Sequence, residues 1–220
     1  LVIKLLEKNH DLICTYRDKN KLKNFKWHNQ VKWVYYDLNN SLPDIKIFDY
    51  PDVLIHLAWS GLPNYESKHH IEINLPNDKR FLKSIINQGL KHILVTGTCF
   101  EFGKKYGPLS PGMLTEPENP YAIAKDRLRN YLTDLQNNNS FTLQWVRLFY
   151  MYGPGQSSKS LITQLETAIK NKEKIFNMSG GEQLRDYMHV KNVAKFLVSL
   201  ITRPENSGII HFLPQSLFQS

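Results

Sequence analysis

Short β-rich runs alternate with longer helix-patterned segments along most of the chain, and this alternation limits the possible folds more than any other feature. Runs at 11–16, 32–36, 52–58, 92–98 and 141–149 have strand character, and several are apolar almost throughout. A strand apolar on both sides must be covered on both sides, as in a parallel sheet between helical layers. Helix patterns fall at 1–8, 71–88 and 121–136, with Gly89 and Asn137 where the latter two should stop. The order predicts an α/β fold with a parallel sheet and right-handed crossovers. After Gly153 the pattern loosens into "GPGQSSKS", a helix near 161–171, and a loop carrying "SGGEQLRDYMHV".

Open sheets of this kind bind ligands beyond the carboxyl ends of their strands. The places to search are therefore Tyr16 and Arg17, Asp37 and Leu38, and the stretches 58–61, 96–98 and 149–153.

Composition narrows the function classes. The chain has 220 residues, 41% of them hydrophobic, which is ample for a buried core. Two cysteines, Cys14 and Cys99, form no disulfide framework or zinc pattern, so the expected setting is reducing and cytoplasmic. The net charge of +8 is spread along the chain without a nucleic-acid motif, and suits attraction of anionic small molecules. Apolar stretches are short and broken by charge, so no membrane span is expected. Lys4, Glu7 and Lys8 interrupt the first apolar segment, which reads as an amphipathic helix rather than a signal peptide. His69 and His70 lack a third ligand and read as exposed helix residues; His189 and His211 read as structural. No metal site is expected.

Chemistry enters with "NPYAIAK". Tyr121 and Lys125, four apart, share one helix face and can act on one bound molecule. An ammonium beside a phenol favours the phenolate, bringing the tyrosine within reach of acid–base work. Thr98, on the preceding strand, could share the reacting oxygen. The spacing alone is weak, because with 11 tyrosines about one such pair arises by chance. A second pair, Tyr187 and Lys191, exists in "YMHVK". Only Tyr121 opens a helix behind a Thr-Gly-Thr strand end, so Tyr187 is read as structural.

The blocks "DVLIHLAWSG", "HILVTGTCFEFG", "NPYAIAK", "VRLFYMYGPGQ" and "LRDYMHVKNVAKFL", in that order, resemble the extended short-chain dehydrogenase/reductase family of NAD(P)-dependent sugar epimerases and dehydratases. The resemblance runs to about Ile210 and is nearest to 4-ketoreductases and 4-epimerases of nucleotide-linked deoxysugars used in polysaccharide biosynthesis. It implies a Rossmann-like, doubly wound sheet over residues 1–150 and a small, incomplete substrate lobe over 151–220, interleaved with the end of the sheet. It also implies catalytic roles for Thr98, Tyr121 and Lys125, with hydride transfer at a nicotinamide coupled to proton transfer through Tyr121. Arg185 matches an arginine that meets the pyrophosphate of a nucleotide-linked deoxysugar; an ordinary surface ion pair is its alternative. On the cofactor side the matching positions are Arg17, Asp37, Leu38, Ala58, Trp59, Thr96 and Phe149, besides Tyr121 and Lys125. Asp37 could instead cap a turn. A homodimer through the helix bearing Tyr121 is a further implication.

Within the family, dehydratases carry Asp-Glu directly after the catalytic Thr. Here Cys99 and Phe100 stand there, which sets dehydration aside. Cys99 is read as a packed residue of an extended segment pointing away from the site. Tyr16 takes the place of the acid that holds the ribose of NAD, and Arg17 follows it. An arginine there suits a 2′-phosphate, so NADP is slightly favoured over NAD, with a solvated loop arginine as the other reading.

Two elements of the resemblance have no counterpart. The chain starts inside the helix that follows the first strand and its glycine-rich phosphate turn, and not at a Met; it stops at "LPQSLFQS" before the substrate lobe is complete. The expectation is a fragment or truncated form of an active enzyme that binds cofactor poorly by itself. The alternative is a non-catalytic dinucleotide-binding protein or an inactive remnant.

Overall fold

The computed structural model describes residues 1–40, 42–178, 180 and 184–212. Helix α1 (Val2–Leu6) leads into β1 (Ile13–Tyr16), and β2 (Lys32–Tyr35) and β3 (Leu54–His56) follow. A π-helical turn, His70–Asn74, runs directly into α2 (Leu75–Asn87), whose Pro76 lies in the first turn, where a missing N–H is harmless. Then come β4 (His92–Thr98), α3 (Pro120–Gln136), β5 (Thr142–Leu148) and β6 (Tyr150–Tyr152). The chain continues through α4 (Leu161–Lys170), β7 (Tyr187–His189), α5 (Val190–Ile201) and β8 (Gly208–His211).

All pairings are parallel. β3, β4, β5 and β8 form one ladder in that order, β1 pairs with β2, and β6 with β7. Along β4 successive side chains alternate between two cores. Ile93 and Val95 join Leu82, Ile85, Leu128 and Leu132 of α2 and α3. Leu94 joins Val193, Leu197 and Leu200 of α5, together with Phe102 and Phe149. Both faces are dry, which is why 92–98 reads as a continuous apolar run. Ile13 and Val34 pack on the first core, so the β1–β2 pair lies over the same helices as the larger sheet. Leu82, Leu128 and Leu132 are fully excluded from water; truncating one to Ala costs about 2–5 kcal/mol.

The buried Gln144 ties β5 to its surroundings. Its amide donates to the carbonyls of Leu200, Arg203 and Asn206 at 2.9, 3.1 and 2.9 Å, and its Oε1 pairs with His92 Nε2 at 2.9 Å.

Several expectations need correction. The segment read as a loop contains β7 and runs directly into α5, where His189 Nδ1 accepts from the N–H of Lys191 at 3.1 Å. Ser179 and residues 181–183 of that stretch lie outside the described residues, as does 213–220. Tyr187 stands on a strand and Lys191 on a helix, so their spacing does not place them on one face. Helix 71–88 is a π-turn followed by an α-helix; Gly89, with φ of 108°, follows its end. His70, expected on the surface, is fully buried, because the π-turn directs it beneath the loop at 60–64. Among the described residues no cluster could hold a metal ion, and no helix is long and apolar enough to cross a membrane.

Candidate active site

The C-terminal end of β4 carries the first element of the site. Thr98 caps a short 3-10 turn, Cys99–Phe102; its Oγ1 accepts from the N–H of Phe100 at 3.3 Å. Glu101 returns the bond, accepting from the N–H of Thr98 at 2.9 Å. The same buried carboxylate accepts from Arg147 Nε at 2.7 Å and from Trp145 Nε1 at 3.1 Å. Burial pushes Glu101 above the usual carboxylate range, against the pull of the Arg147 guanidinium. Glu101 thus holds the turn rigid beneath Thr98 and has no capacity left for acid–base work. Cys99, expected in an extended segment, opens the 3-10 turn instead. Burial raises its thiol to about 11, so it stays protonated and packed at neutral pH.

Helix α3 supplies the second element. Asn119 accepts from the N–H of Ala122 at 2.9 Å, and Pro120 fills the first helical position. The next residue, Tyr121, donates its backbone N–H to the Tyr65 carbonyl at 3.1 Å, which fastens the helix start to the preceding loop. The Tyr121 ring is enclosed by Trp59, Tyr65, His70 and Phe100, with centroids 5.9, 5.5, 5.4 and 6.5 Å away. Burial raises its phenol well above the ordinary tyrosine value, and the neighbouring Thr98 side chain opposes this. Thr98 and Tyr121 therefore lie beside one another.

Lys125 lies one turn further along α3, only 2% exposed. Its Nζ donates to the Thr96 carbonyl at 2.9 Å and sits 4.0 Å from the centroid of the Trp59 ring. Burial lowers it to about 8, while Asp78 and Glu101 pull the other way. Helical spacing led to the expectation that the ammonium would lower the Tyr121 pKa. Burial is the largest influence on the phenol, and the Lys125 side chain is turned to the strand carbonyl and the indole.

Beside this cluster lies a cavity of about 370 Å³ lined by the carboxyl ends of β1, β2 and β3. Arg17, Asp37, Leu38, Ala58 and Trp59 all border it, together with Ser60, Asn74 and Asp78. Arg17 is exposed and makes no ion pair among the described residues. Asp37 also makes a local turn, accepting from the N–H and the amide of Asn39 at 3.0 and 2.9 Å. Thr96 contributes its carbonyl to Lys125. The Phe149 side chain packs into the second core, its ring 5.5 Å from that of His211, with the chain continuing into β6. Arg185 reaches the same end of the sheet, its guanidinium 4.4 Å from the centroid of the Tyr150 ring.

Several residues of the site went unnoticed in the sequence. Glu101 had a visible signal, since Thr-x-x-Glu is the spacing of a reciprocal helix cap. The buried pair of His56 Nε2 with Asp78 Oδ1 at 3.2 Å had none, and His70 reads in the sequence as an exposed helix residue.

The model of the NAD dependent epimerase/dehydratase family matches residues 1–211. A dTDP-6-deoxy-L-talose 4-dehydrogenase (NAD(+)) of Aggregatibacter actinomycetemcomitans is 31% identical over 161 residues, covering 73% of this chain and 59% of that protein. A GDP-6-deoxy-D-talose 4-dehydrogenase of the same organism is 24% identical over 159 residues, covering 70% of this chain and 53% of that protein. The chain thus spans somewhat more than half the length of these relatives. Among solved structures, a UDP-glucuronic acid 4-epimerase from Bacillus cereus superposes with a TM-score of 0.81 at 17% identity, covering 98% of this chain and 73% of that one. A UDP-N-acetylglucosamine 4-epimerase from Methanobrevibacter ruminantium gives 0.79 at 22% identity, covering 96% and 71%. At such identities the structural matches speak for the fold alone.

Proposed function

The chain belongs to the NAD dependent epimerase/dehydratase family, and from that premise we propose that it forms the catalytic part of an NAD(P)-dependent nucleotide-sugar oxidoreductase, of the 4-keto-6-deoxysugar reductase or 4-epimerase type. The observation that carries this reading is the meeting of Thr98 and Tyr121 at the end of β4, with Lys125 one turn along α3, beside a cavity bordered by Arg17, Asp37, Leu38, Ala58 and Trp59.

That cavity suits a dinucleotide. It lies where three parallel strands end, and Arg17 and Asp37 border it with side chains suited to phosphate and hydroxyl groups. A bound nicotinamide would supply the hydride chemistry. The chain's own groups do the rest. Tyr121 moves a proton at the sugar oxygen, Thr98 shares and positions that oxygen, and Lys125 supplies positive charge nearby. Arg185 offers a planar fork to phosphate oxygens of the sugar nucleotide. Dehydration is disfavoured, because Glu101, the carboxylate nearest Thr98 in sequence, is saturated by Arg147, Trp145 and the Thr98 N–H.

The test uses the natural gene product containing this chain, a dTDP- or GDP-linked 4-keto-6-deoxyhexose, and each reduced dinucleotide. Turnover that disappears in Tyr121→Phe supports the reading; equal turnover in the variant overturns it. Exposed Arg17 favours NADP, whereas the name of one relative carries NAD(+). A homodimer through α3 belongs to the same proposal and is read by sedimentation. One observation favours a second reading, a non-catalytic dinucleotide-binding protein: Lys125 is turned to Thr96 and Trp59. Dinucleotide binding in calorimetry without turnover would select it.

A further inference from the structure

The loop after β3 and the π-turn before α2 share a hydrogen-bonded network that ends on Lys125. His70 Nε2 lies 2.7 Å from the Asn64 carbonyl. A carbonyl only accepts, so this nitrogen carries the proton and Nδ1 is left as the acceptor. Two donors use Nδ1, Trp59 Nε1 at 3.1 Å and Asn74 Nδ2 at 3.3 Å. Asn74 is fixed in turn by Ser60, whose Oγ donates to its Oδ1 at 2.7 Å and whose carbonyl accepts from its Nδ2 at 2.9 Å. His69 Nε2 meets the same Oγ at 2.7 Å.

The indole of Trp59 is therefore held by its N–H, edge to edge with the His70 ring, with centroids 6.2 Å and planes 24° apart. Its face meets the Lys125 ammonium at 4.0 Å. A lysine ammonium has three donors, and among the described residues the one hydrogen bond it makes goes to Thr96. The ring face takes the place of water for the remainder.

We propose that His70 and Trp59 are positioning residues for Lys125: His70 sets the orientation of the indole, and the indole face holds the ammonium at the reacting end of the site. The charged and titratable groups around this contact are Asp78 and His56 from α2 and β3, Glu101 from the turn after β4, Tyr121 on α3, and His69 beside His70. The inference rests on the reading of Lys125 above only for why its position matters. The test below needs no turnover, so it fails or succeeds separately from that reading.

The measurement is an NMR titration of the chain labelled with 13C at lysine Cε, with Lys125→Met identifying the resonance. A ring face that stabilises a desolvated ammonium raises its titration midpoint, by about one pH unit for tryptophan and less for phenylalanine. Trp59→Leu is expected to lower the Lys125 midpoint by about one unit and Trp59→Phe by less. His70→Ala should lower it by freeing the indole. His70→Gln should restore part of the loss, since its amide can both donate to Asn64 and accept from Trp59. An unchanged or raised midpoint in Trp59→Phe and His70→Ala overturns the proposal, whether or not Trp59→Leu folds.

Discussion

Arg147 donates from Nε to Glu101 Oε2 at 2.7 Å, both side chains excluded from water, directly beneath the turn that carries Thr98. Removing one member of such a pair leaves an unpaired buried charge, at a cost of about 3–5 kcal/mol. Glu101→Ala is therefore expected to lose stability on that scale in urea unfolding. Replacing both residues, as Glu101→Leu with Arg147→Met, should cost less than the single change. A double variant as unstable as the sum of the singles would show that the pairing itself is unimportant.

Gly97 lies where this network comes closest to the backbone. A Cβ there would stand 2.2 Å from Trp145 Nε1 and 2.4 Å from Glu101 Oε1. Gly97→Ala must push the indole and the carboxylate apart, and overpacking of this kind costs about 1–3 kcal/mol. A lowered thermal midpoint and a shifted tryptophan emission are the expected signs.

Lys125 gives stability a pH dependence whose sign follows from burial. Its pKa is about 8 in the fold, against an ordinary value of 10.5. Between these values the unfolded chain binds more protons, so stability rises with pH from about 8 upward. Tyr121, raised by burial, acts oppositely once pH passes its ordinary value of 10.0. Cys99, raised to about 11 from an ordinary 9.0, already acts oppositely from pH 9, so the urea midpoint of the parent should climb from about pH 8 to about 9, and Lys125→Met should lack the climb.

His211 provides an acid-side counterpart. Among the described residues its buried ring nitrogens have no hydrogen-bond partner at normal distance, although the Leu109 backbone exerts an opposing pull. Burial, then the charge of Arg147, lowers it to about 4 from 6.5. The unfolded chain binds more protons between those values, so stability falls as pH drops through that window. His211→Phe should flatten that slope in thermal melts taken across it.

Arg17 tests dinucleotide choice. A guanidinium on a 2′-phosphate makes charge-assisted hydrogen bonds worth about 1.5–3 kcal/mol. Arg17→Ala in the natural gene product should weaken NADPH binding about 10- to 100-fold with little effect on NADH. Equal losses for both would remove the basis for an NADP preference.

The elements legible in the sequence share a physical reason. β4 and α3 came out within a residue of their expected bounds, because a doubly covered strand and a capped helix with Pro at its start are local signals. β7 and α5 did not, because "YMHVKNVAKFL" packs against a core whose other members are distant in sequence. The cofactor-side candidates Arg17, Asp37, Leu38, Ala58 and Trp59 came together in one cavity because parallel strands all end on the same edge.

The order of strands and helices as far as β5, the cap of α3 and the four-residue step from Tyr121 to Lys125 were determined by the sequence itself, since each depends on neighbours within a turn or two. Only the tertiary structure decided what those side chains meet. The parallel register of β4 on β5 sets Gly97 opposite Arg147, which brings Glu101 under Thr98. The π-turn buries His70 against Trp59 and so places an aromatic face over Lys125. Helical spacing directs a lysine to one side of a helix, but its electrostatic partners come from strands and loops far away in sequence, and here they turn it toward Thr96 and Trp59.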